Sequence, residues 1–346
     1  MSQTIAEKII DFAYRNTPND KKIDIGFFGG EPLLEFELIQ EITKYIKDHP
    51  LYEADRIQLS LVSNGTIFTR EIANFIEKHI FSFCISCDGP YQVQDLFRCF
   101  PGGQGSSHLV EKNIKQAVQL LPNVLVNAVY HPQTFHFLPE VIQYFSSLGL
   151  RQIYLNPDFS ASWTKEDIDS LPEVYGQIGE LYCKFCLNKD PHFVSLIDSK
   201  IAVILRGGYQ PSERCQMGVR DLAFSPQGNI YLCERLVGSG DNNEHCIGNI
   251  RNGFQVKNIF CNKEFIECSN DECQKCTLRD YCMNWCGCSN FFSTGYYSKV
   301  NSFLCASERA AIQIGFNTFQ KLEEKIGPVF FEHFSGRPQS ISRYKI

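Results

Sequence analysis

The sequence predicts an α/β fold followed by a separate cysteine-rich region. Three observations carry that prediction. Over residues 1–156, short apolar runs alternate with helical patterns. Three of the runs end in polar, glycine-containing turns: Phe28-Gly29-Gly30-Glu31-Pro32, Ser63-Asn64-Gly65 and Ser86-Cys87-Asp88-Gly89-Pro90. Seven cysteines then recur at ligand-like intervals between Cys215 and Cys305.

The first helix is expected over Thr4–Tyr14, where Thr4-x-x-Glu7 reads as a capping box and Ile5, Ile9 and Phe12 share one face. Ile23–Phe28 is a buried strand, and Leu34–Lys47 an amphipathic helix. The unit repeats as strand Ile57–Val62, helix Arg70–Lys78, strand Phe81–Cys87, helix Leu109–Leu120, strand Val124–Tyr130, helix Leu138–Leu148 and strand Gln152–Leu155. Five strands joined by crossover helices imply a parallel sheet. Beyond 156 the pattern turns helical, with Ser170-x-x-Glu173 as the expected cap of one helix and Ser195–Leu205 as another. Short strands are expected near Ala223 and Tyr231, a last helix over Cys305–Lys325, and a flexible tail after Gly336.

Composition narrows the class. The chain has 346 residues, 43% of them apolar, enough to build a sizeable core. A net charge of −6 gives no basic excess for nucleic acid. No apolar run is long enough to span a membrane, and the N-terminus lacks a signal pattern. Sixteen cysteines in a chain of this size, without a signal, point to metal ligation in a reducing, cytoplasmic setting rather than to disulfides.

The cysteine pattern is Cys215-x12-Gly228-x4-Cys233, then Cys273-x2-Cys276-x5-Cys282-x3-Cys286, then Cys305. Thiolate sulfur binds both zinc and iron–sulfur clusters, and a close pair lets one loop supply two ligands. Seven ligands exceed the four of one site, so two neighbouring sites are implied. Cys84, Cys87, Cys99, Cys183 and Cys186 stand outside the pattern and read as core or surface residues. The strand ends suit a ligand as well, because parallel sheets bind at the C-terminal ends of their strands. Gly29 and Gly30 permit close approach to the backbone, and Glu31 offers a carboxylate to an ammonium group. Ser63, Asn64 and Ser86 are short polar groups fit for hydroxyls or a headgroup.

The same cysteine spacing resembles the SPASM domain of radical S-adenosylmethionine (SAM) enzymes, and the three strand-end motifs resemble their SAM-handling segments in the same order. The resemblance covers most of the chain. It implies a partial (β/α) TIM-like barrel over 1–156, a helical connector over 157–207, a SPASM-like domain over 208–305, and a C-terminal helix and tail over 306–346. It implies two auxiliary [4Fe–4S] clusters, one held by Cys215, Cys233 and Cys286, the other by Cys273, Cys276, Cys282 and Cys305. The fourth position of the first is then open, or filled by a residue such as Cys288 or Cys246. SAM would lie against Gly29, Gly30, Glu31, Pro32, Ser63, Asn64 and Ser86, with Arg98, in Asp95-x-x-Arg98, as a clamp for its carboxylate. Glu234 occupies the place of a catalytic aspartate, and otherwise pairs with Arg235 or Arg220.

By the same resemblance the partners are a peptide or protein substrate and an electron donor such as flavodoxin or ferredoxin. One family part is not present. The Cys-x3-Cys-x2-Cys motif that holds the SAM-binding cluster precedes Gly-Gly-Glu-Pro in the family, whereas the first cysteine here is Cys84. The first barrel strand and cluster loop are expected to be missing, which makes the chain a truncated maturase, inactive alone. The strand at Ile23 would then form an unpaired edge. The alternatives are a non-catalytic iron–sulfur-binding homologue and a structural zinc-binding module.

Overall fold

In a computed structural model of the chain, strands β1 (Ile23–Phe27), β2 (Ile57–Ser63), β3 (Phe81–Ser86), β4 (Val124–Tyr130), β5 (Gln152–Pro157) and β6 (Phe193–Val194) form one six-stranded sheet in sequence order. The structure describes residues 1–215, 217–218, 221–238, 245–255, 270–327 and 330. The tail after Gly336 and Arg220 lie outside them. Neighbouring strands run parallel: Ile23 pairs with Ile57 and Phe27 with Leu61, Leu125 pairs with Gln152 and Tyr130 with Pro157. The helices between them are α1 (Gln3–Asn16), α2 (Phe36–Asp48), α3 (Arg70–Lys78), α4 (Tyr91–Phe97), α5 (Ser107–Leu120), α6 (Leu138–Ser147) and α7 (Lys165–Leu187), with α1 preceding β1. Helix α8 (Ser195–Leu205) follows β6.

The sequence pattern finds five of these six strands. The sixth is a two-residue strand, too short for any periodicity to register. Two caps also differ from expectation. Ser2, not Thr4, accepts from the Ile5 amide at the start of α1, at 3.4 Å. Helix α7 starts earlier than Ser170: Thr164 and Asp167 form its capping box, and the Ser170 hydroxyl donates back to the Asp167 carbonyl at 2.9 Å.

The chain divides into two compact units. One comprises Met1–Ser63, Asn74–Phe83 and Gln216–Ile266. Within it a small antiparallel sheet, in the order β10-β9-β8-β7, is built from β7 (Ala223–Phe224), β8 (Asn229–Tyr231), β9 (Cys246–Asn249) and β10 (Gly253–Phe254). Phe12 of α1 packs edge-on against Phe224 and Phe254, at centroid distances of 6.0 and 6.1 Å. Gly228 makes the turn between β7 and β8 at φ +82°, and a Cβ there would stand 2.8 Å from Ile250. The buried Arg56 donates to the carbonyls of Lys21 and Pro18, each at 3.1 Å, so its charge ties down the loop ahead of β1.

The other unit comprises Asn64–Ala73, Cys84–Cys215 and Glu267–Ile346. It adds α9 (Asp271–Gln274), α10 (Gly287–Thr294) and α11 (Ser302–Ile326) to the later strands. Helices α7 and α11 approach closely at Gly179, where a Cβ would come within 2.7 Å of Ile314 and 2.8 Å of the Thr318 hydroxyl. Gly315 gives α11 the same freedom against α8, since a Cβ there would meet Lys200 at 2.7 Å. Small residues at a crossing let two helices close to packing distance. Gly179→Val is expected to overpack this crossing at a cost of about 1–3 kcal/mol, lowering Tm by roughly 2–8 °C. An unchanged Tm in calorimetry would show that the crossing has slack.

Candidate functional site

Chain geometry at the end of β1 explains why glycine stands there. Gly29 lies at φ +145°, a region other residues rarely adopt. A Cβ built on Gly29 or Gly30 meets no atom within 4 Å, so this backbone borders open space. Glu31 caps the turn that follows, accepting from the Leu33 amide at 3.0 Å, and Pro32 is that turn's first residue. The buried Ser63 at the end of β2 donates its hydroxyl to the same Glu31 oxygen, at 3.0 Å. Two of the expected site segments are thus joined directly.

The second unit holds the other strand ends. Asn64 accepts from the Thr66 amide at 2.9 Å and the Thr66 hydroxyl at 2.7 Å, closing a polar turn. Gly65 makes that turn at φ +75°, where a Cβ would strike Ile85 at 2.8 Å. Ser86 is the last residue of β3 and is half-buried. Arg98 grips Asp88 with a two-point fork, Nε to Oδ2 at 2.7 Å and Nη2 to Oδ1 at 2.9 Å. Asp88 also accepts from the Val129 amide at 2.9 Å, which joins the β3 end to β4. Two donors of the Arg98 guanidinium are therefore engaged within the protein. His131 and Asp158, just beyond β4 and β5, pair at 3.1 Å, with Phe97 stacked on the imidazole at 3.7 Å.

The cysteines of this unit fall into two neighbourhoods. In the first, the Cys286 sulfur shares hydrogen bonds with Cys215 and Cys288 and accepts one from the Ser289 hydroxyl. The Cys288 sulfur lies at 3.4 Å and the Ser289 hydroxyl at 3.3 Å. Those bonds, Cys215 first and Cys288 next, hold the Cys286 thiol well below its ordinary value despite burial. In the second, Cys273 and Cys276 share one turn, the Cys276 amide bonding the Cys273 carbonyl at 3.3 Å. Arg309 hydrogen-bonds Cys305 and feels the charges of Cys276 and Cys282, so these three sulfurs and Arg309 form one neighbourhood. Burial pushes the Cys282 thiol up to about 12. Among the described residues, no three His, Cys, Asp or Glu side chains converge on a single-ion site. A four-iron cluster spreads its thiolates more widely than one ion does, and this all-sulfur donor chemistry fits such a cluster.

Cys233, Glu234 and Cys246 lie in the first unit. Cys233 follows β8 and donates toward the Glu234 carboxylate at 3.7 Å, and Cys246 opens β9 with its sulfur 3.2 Å from the Gly248 carbonyl. The sequence gives no hint of one pair. Lys200 and Glu308 are 108 residues apart and bond at 2.7 Å, with Lys200 only 2% exposed. A lone lysine in the apolar helix Ser195–Leu205 is the signal that would have flagged it.

The parallel, sequentially ordered sheet and the thiol-rich C-terminal region have counterparts of the same fold among solved structures. The solved structure of anSMEcpe with bound AdoMet matches it at TM-score 0.73 and 19% identity, covering 96% of this chain and 90% of that one. Streptococcus suis SuiB bound to S-adenosylmethionine matches at TM-score 0.59 and 14% identity, over 88% of this chain and 70% of that one. In sequence, the chain is 22% identical over 306 residues to the cysteine-type anaerobic sulfatase-maturating enzyme of Clostridium novyi, covering 83% of this chain and 78% of the relative. It is 22% identical over 287 residues to the radical SAM cyclopropyl synthase TigE of Paramaledivibacter caminithermalis, covering 81% of this chain but 57% of that enzyme. An uncharacterized protein of Methanocaldococcus jannaschii is 27% identical over 240 residues, 69% of this chain and 76% of that one. No family model matches. The chain is thus similar in sequence to a radical SAM cyclopropyl synthase and to anaerobic sulfatase-maturating enzymes, and it shares the fold of the solved anSMEcpe and SuiB structures.

Cys84 and Cys87 are buried, and burial pushes both thiols up to about 12. Cys99 is exposed. Iodoacetamide at pH 8 is expected to modify Cys99 in the native protein and to reach Cys84 and Cys87 only after unfolding. Mass spectrometry showing equal labelling of the three would contradict the burial.

Proposed function

We propose that this chain is a radical SAM/SPASM-type peptide or protein maturase component that carries the SAM-handling strand ends and two auxiliary [4Fe–4S] clusters. The observation that supports this best is the sorting of the C-terminal thiols into two neighbourhoods, Cys215 with Cys286 and Cys288, and Cys276 with Cys282 and Cys305. Cys233 joins the first set and Cys273 the second, following the spacing of the SPASM pattern. The contact with Cys286 favours Cys288 over an open fourth position in the first cluster. When bound, such clusters supply electron-accepting and substrate-binding chemistry.

For SAM, Gly29 and Gly30 provide backbone without side chains, Glu31 and Pro32 shape the following turn, and Ser63, Asn64 and Ser86 offer small polar groups. Arg98 has donors left for a carboxylate after its fork onto Asp88. Glu234, next to Cys233, is the carboxylate assigned by resemblance to take a proton from substrate. Solved relatives in fold carry AdoMet with the peptide Kp18Cys, or the precursor peptide SuiA, and a peptide partner follows by analogy. A low-potential donor such as flavodoxin or ferredoxin and a reducing, cytoplasmic setting fit the thiol chemistry. The domain division follows the same reading: SAM barrel over 1–156, connector over 157–207, cluster domain over 208–305, then the C-terminal segment over 306–346. These residues contain no Cys-x3-Cys-x2-Cys segment. The chain alone is therefore expected to yield no 5′-deoxyadenosine with SAM and dithionite, and product formation would refute that.

The cluster assignment is tested by single serine substitutions after anaerobic reconstitution. Cys282→Ser and Cys286→Ser should each remove about four iron atoms per chain, and the double variant nearly all. Cys288→Ser should weaken iron retention only in the first site. Iron unchanged by Cys282→Ser and Cys286→Ser, or zinc in place of iron, would refute the cluster reading.

A further inference from the structure

The second thiol neighbourhood is built on the start of α11. Asn301 caps that helix, accepting from the Leu304 amide at 2.8 Å, and Cys305 is the next residue. The segment carrying Cys282 is tied to the same stretch. The Met283 amide donates to Glu308 at 2.6 Å, and Asn284 Nδ2 donates to the Leu304 carbonyl at 3.2 Å. These bonds reach α11 on either side of Cys305. The Asn284 amide also donates to the Cys282 sulfur, at 3.4 Å. Cys282 and Cys305 are thereby held to one end of one helix.

Arg309 stands four residues after Cys305 on α11, and residues four apart share a helix face. Its guanidinium donates a hydrogen bond to Cys305, and the other charges that act on it are those of Cys276 and Cys282. Among the described residues it has no carboxylate partner. The nearby cation Lys200 differs: Glu308 neutralises it at 2.7 Å, so it adds little net charge. Arg309 is also exposed, so its charge is kept without a desolvation cost. At Cys286, in the other neighbourhood, the close donors are neutral, the Ser289 hydroxyl at 3.3 Å and the Cys288 thiol at 3.4 Å.

A four-iron cluster on thiolates gains one negative charge on reduction. Net charge and hydrogen bonds to the sulfurs set its potential, and a cationic donor at a ligand sulfur favours the reduced form. We propose that Arg309 is a tuning residue, whose bond to Cys305 beside Cys276 and Cys282 raises the reduction potential of the cluster held by the second thiol set. The step it biases is the one-electron reduction of [4Fe–4S]²⁺ to [4Fe–4S]⁺, with no bond made or broken. Dithionite supplies the electron in the test. The role of Arg309 rests on the cluster reading above.

The test is a redox titration of the full chain after anaerobic reconstitution, read by the EPR signal of the reduced form. Two waves are expected, and Cys282→Ser identifies the wave of the second set by removing it. Arg309→Gln should lower that midpoint, with a roughly tenfold fall in the reduced-to-oxidised ratio at fixed potential, or about 59 mV for one electron. The wave lost in Cys286→Ser should stay in place. Arg309→Lys keeps the charge but not the planar fork, and its midpoint should fall between the two. It serves where Arg309→Gln does not retain iron. A second-set midpoint unmoved in whichever variant retains its iron, or an equal shift of both waves, would overturn the proposal. Iron content is read on the same samples. Iron bound without the shift removes the tuning role alone, whereas a chain without iron removes the cluster reading and the tuning role together.

Discussion

One carboxylate oxygen holds the thiol-bearing segments of the second unit in register. Oε2 of Glu308 on α11 takes the ammonium of Lys200 from α8 and the backbone amide of Met283, beside Cys282. Three residues before Glu308 on the same helix stands Cys305. The pair thereby sets where two of the pattern cysteines lie. Burial works against the Lys200 charge, yet attraction to Glu308 keeps its pKa above the ordinary lysine value. An ion pair in such a place is poor stabilisation for its cost, because two hydrophobic residues would do as well. Its value is geometric: neither partner can move without leaving the other charged and buried.

The strand ends follow the same logic with neutral groups. Ser63 reaches Glu31 across the β1 and β2 ends, and Asp88 binds both Arg98 and the Val129 amide across the β3 and β4 ends. Each loop is held by a side chain from its neighbour, so a ligand there meets a surface already organised. Glycine at 29 and 30 leaves that surface bare of side chains. Organisation before binding lowers the entropy that binding must overcome.

Much of this architecture is legible in the sequence because it is local. Helices α3 and α8 begin and end where their patterns place them, at Arg70–Lys78 and Ser195–Leu205. Strands β1 to β5 follow from apolar runs, the first three of them closed by glycine-containing turns. Local rules also explain the errors. Ser2 and Thr164 cap the helices expected to start at Thr4 and Ser170, since in each case a hydroxyl further upstream accepts from the first-turn amides. Long-range features have no such signature. The Lys200–Glu308 pair, the Tyr130–Tyr175–Ser307 chain and a cavity at the ends of β4 and β5 each depend on segments brought together only by the fold. The thiols are an intermediate case: their number implies two sites, the family resemblance implies the two sets, and the neighbours of Cys286 and Arg309 show which sulfurs lie together within one unit.

The central claim is that the C-terminal thiols hold two four-iron clusters. Mössbauer spectroscopy of the intact chain, reconstituted anaerobically with ⁵⁷Fe, tests it most directly. The account predicts about eight iron atoms per chain in paired diamagnetic [4Fe–4S]²⁺ signatures. A colourless protein binding zinc, or one binding no metal at all, would contradict it.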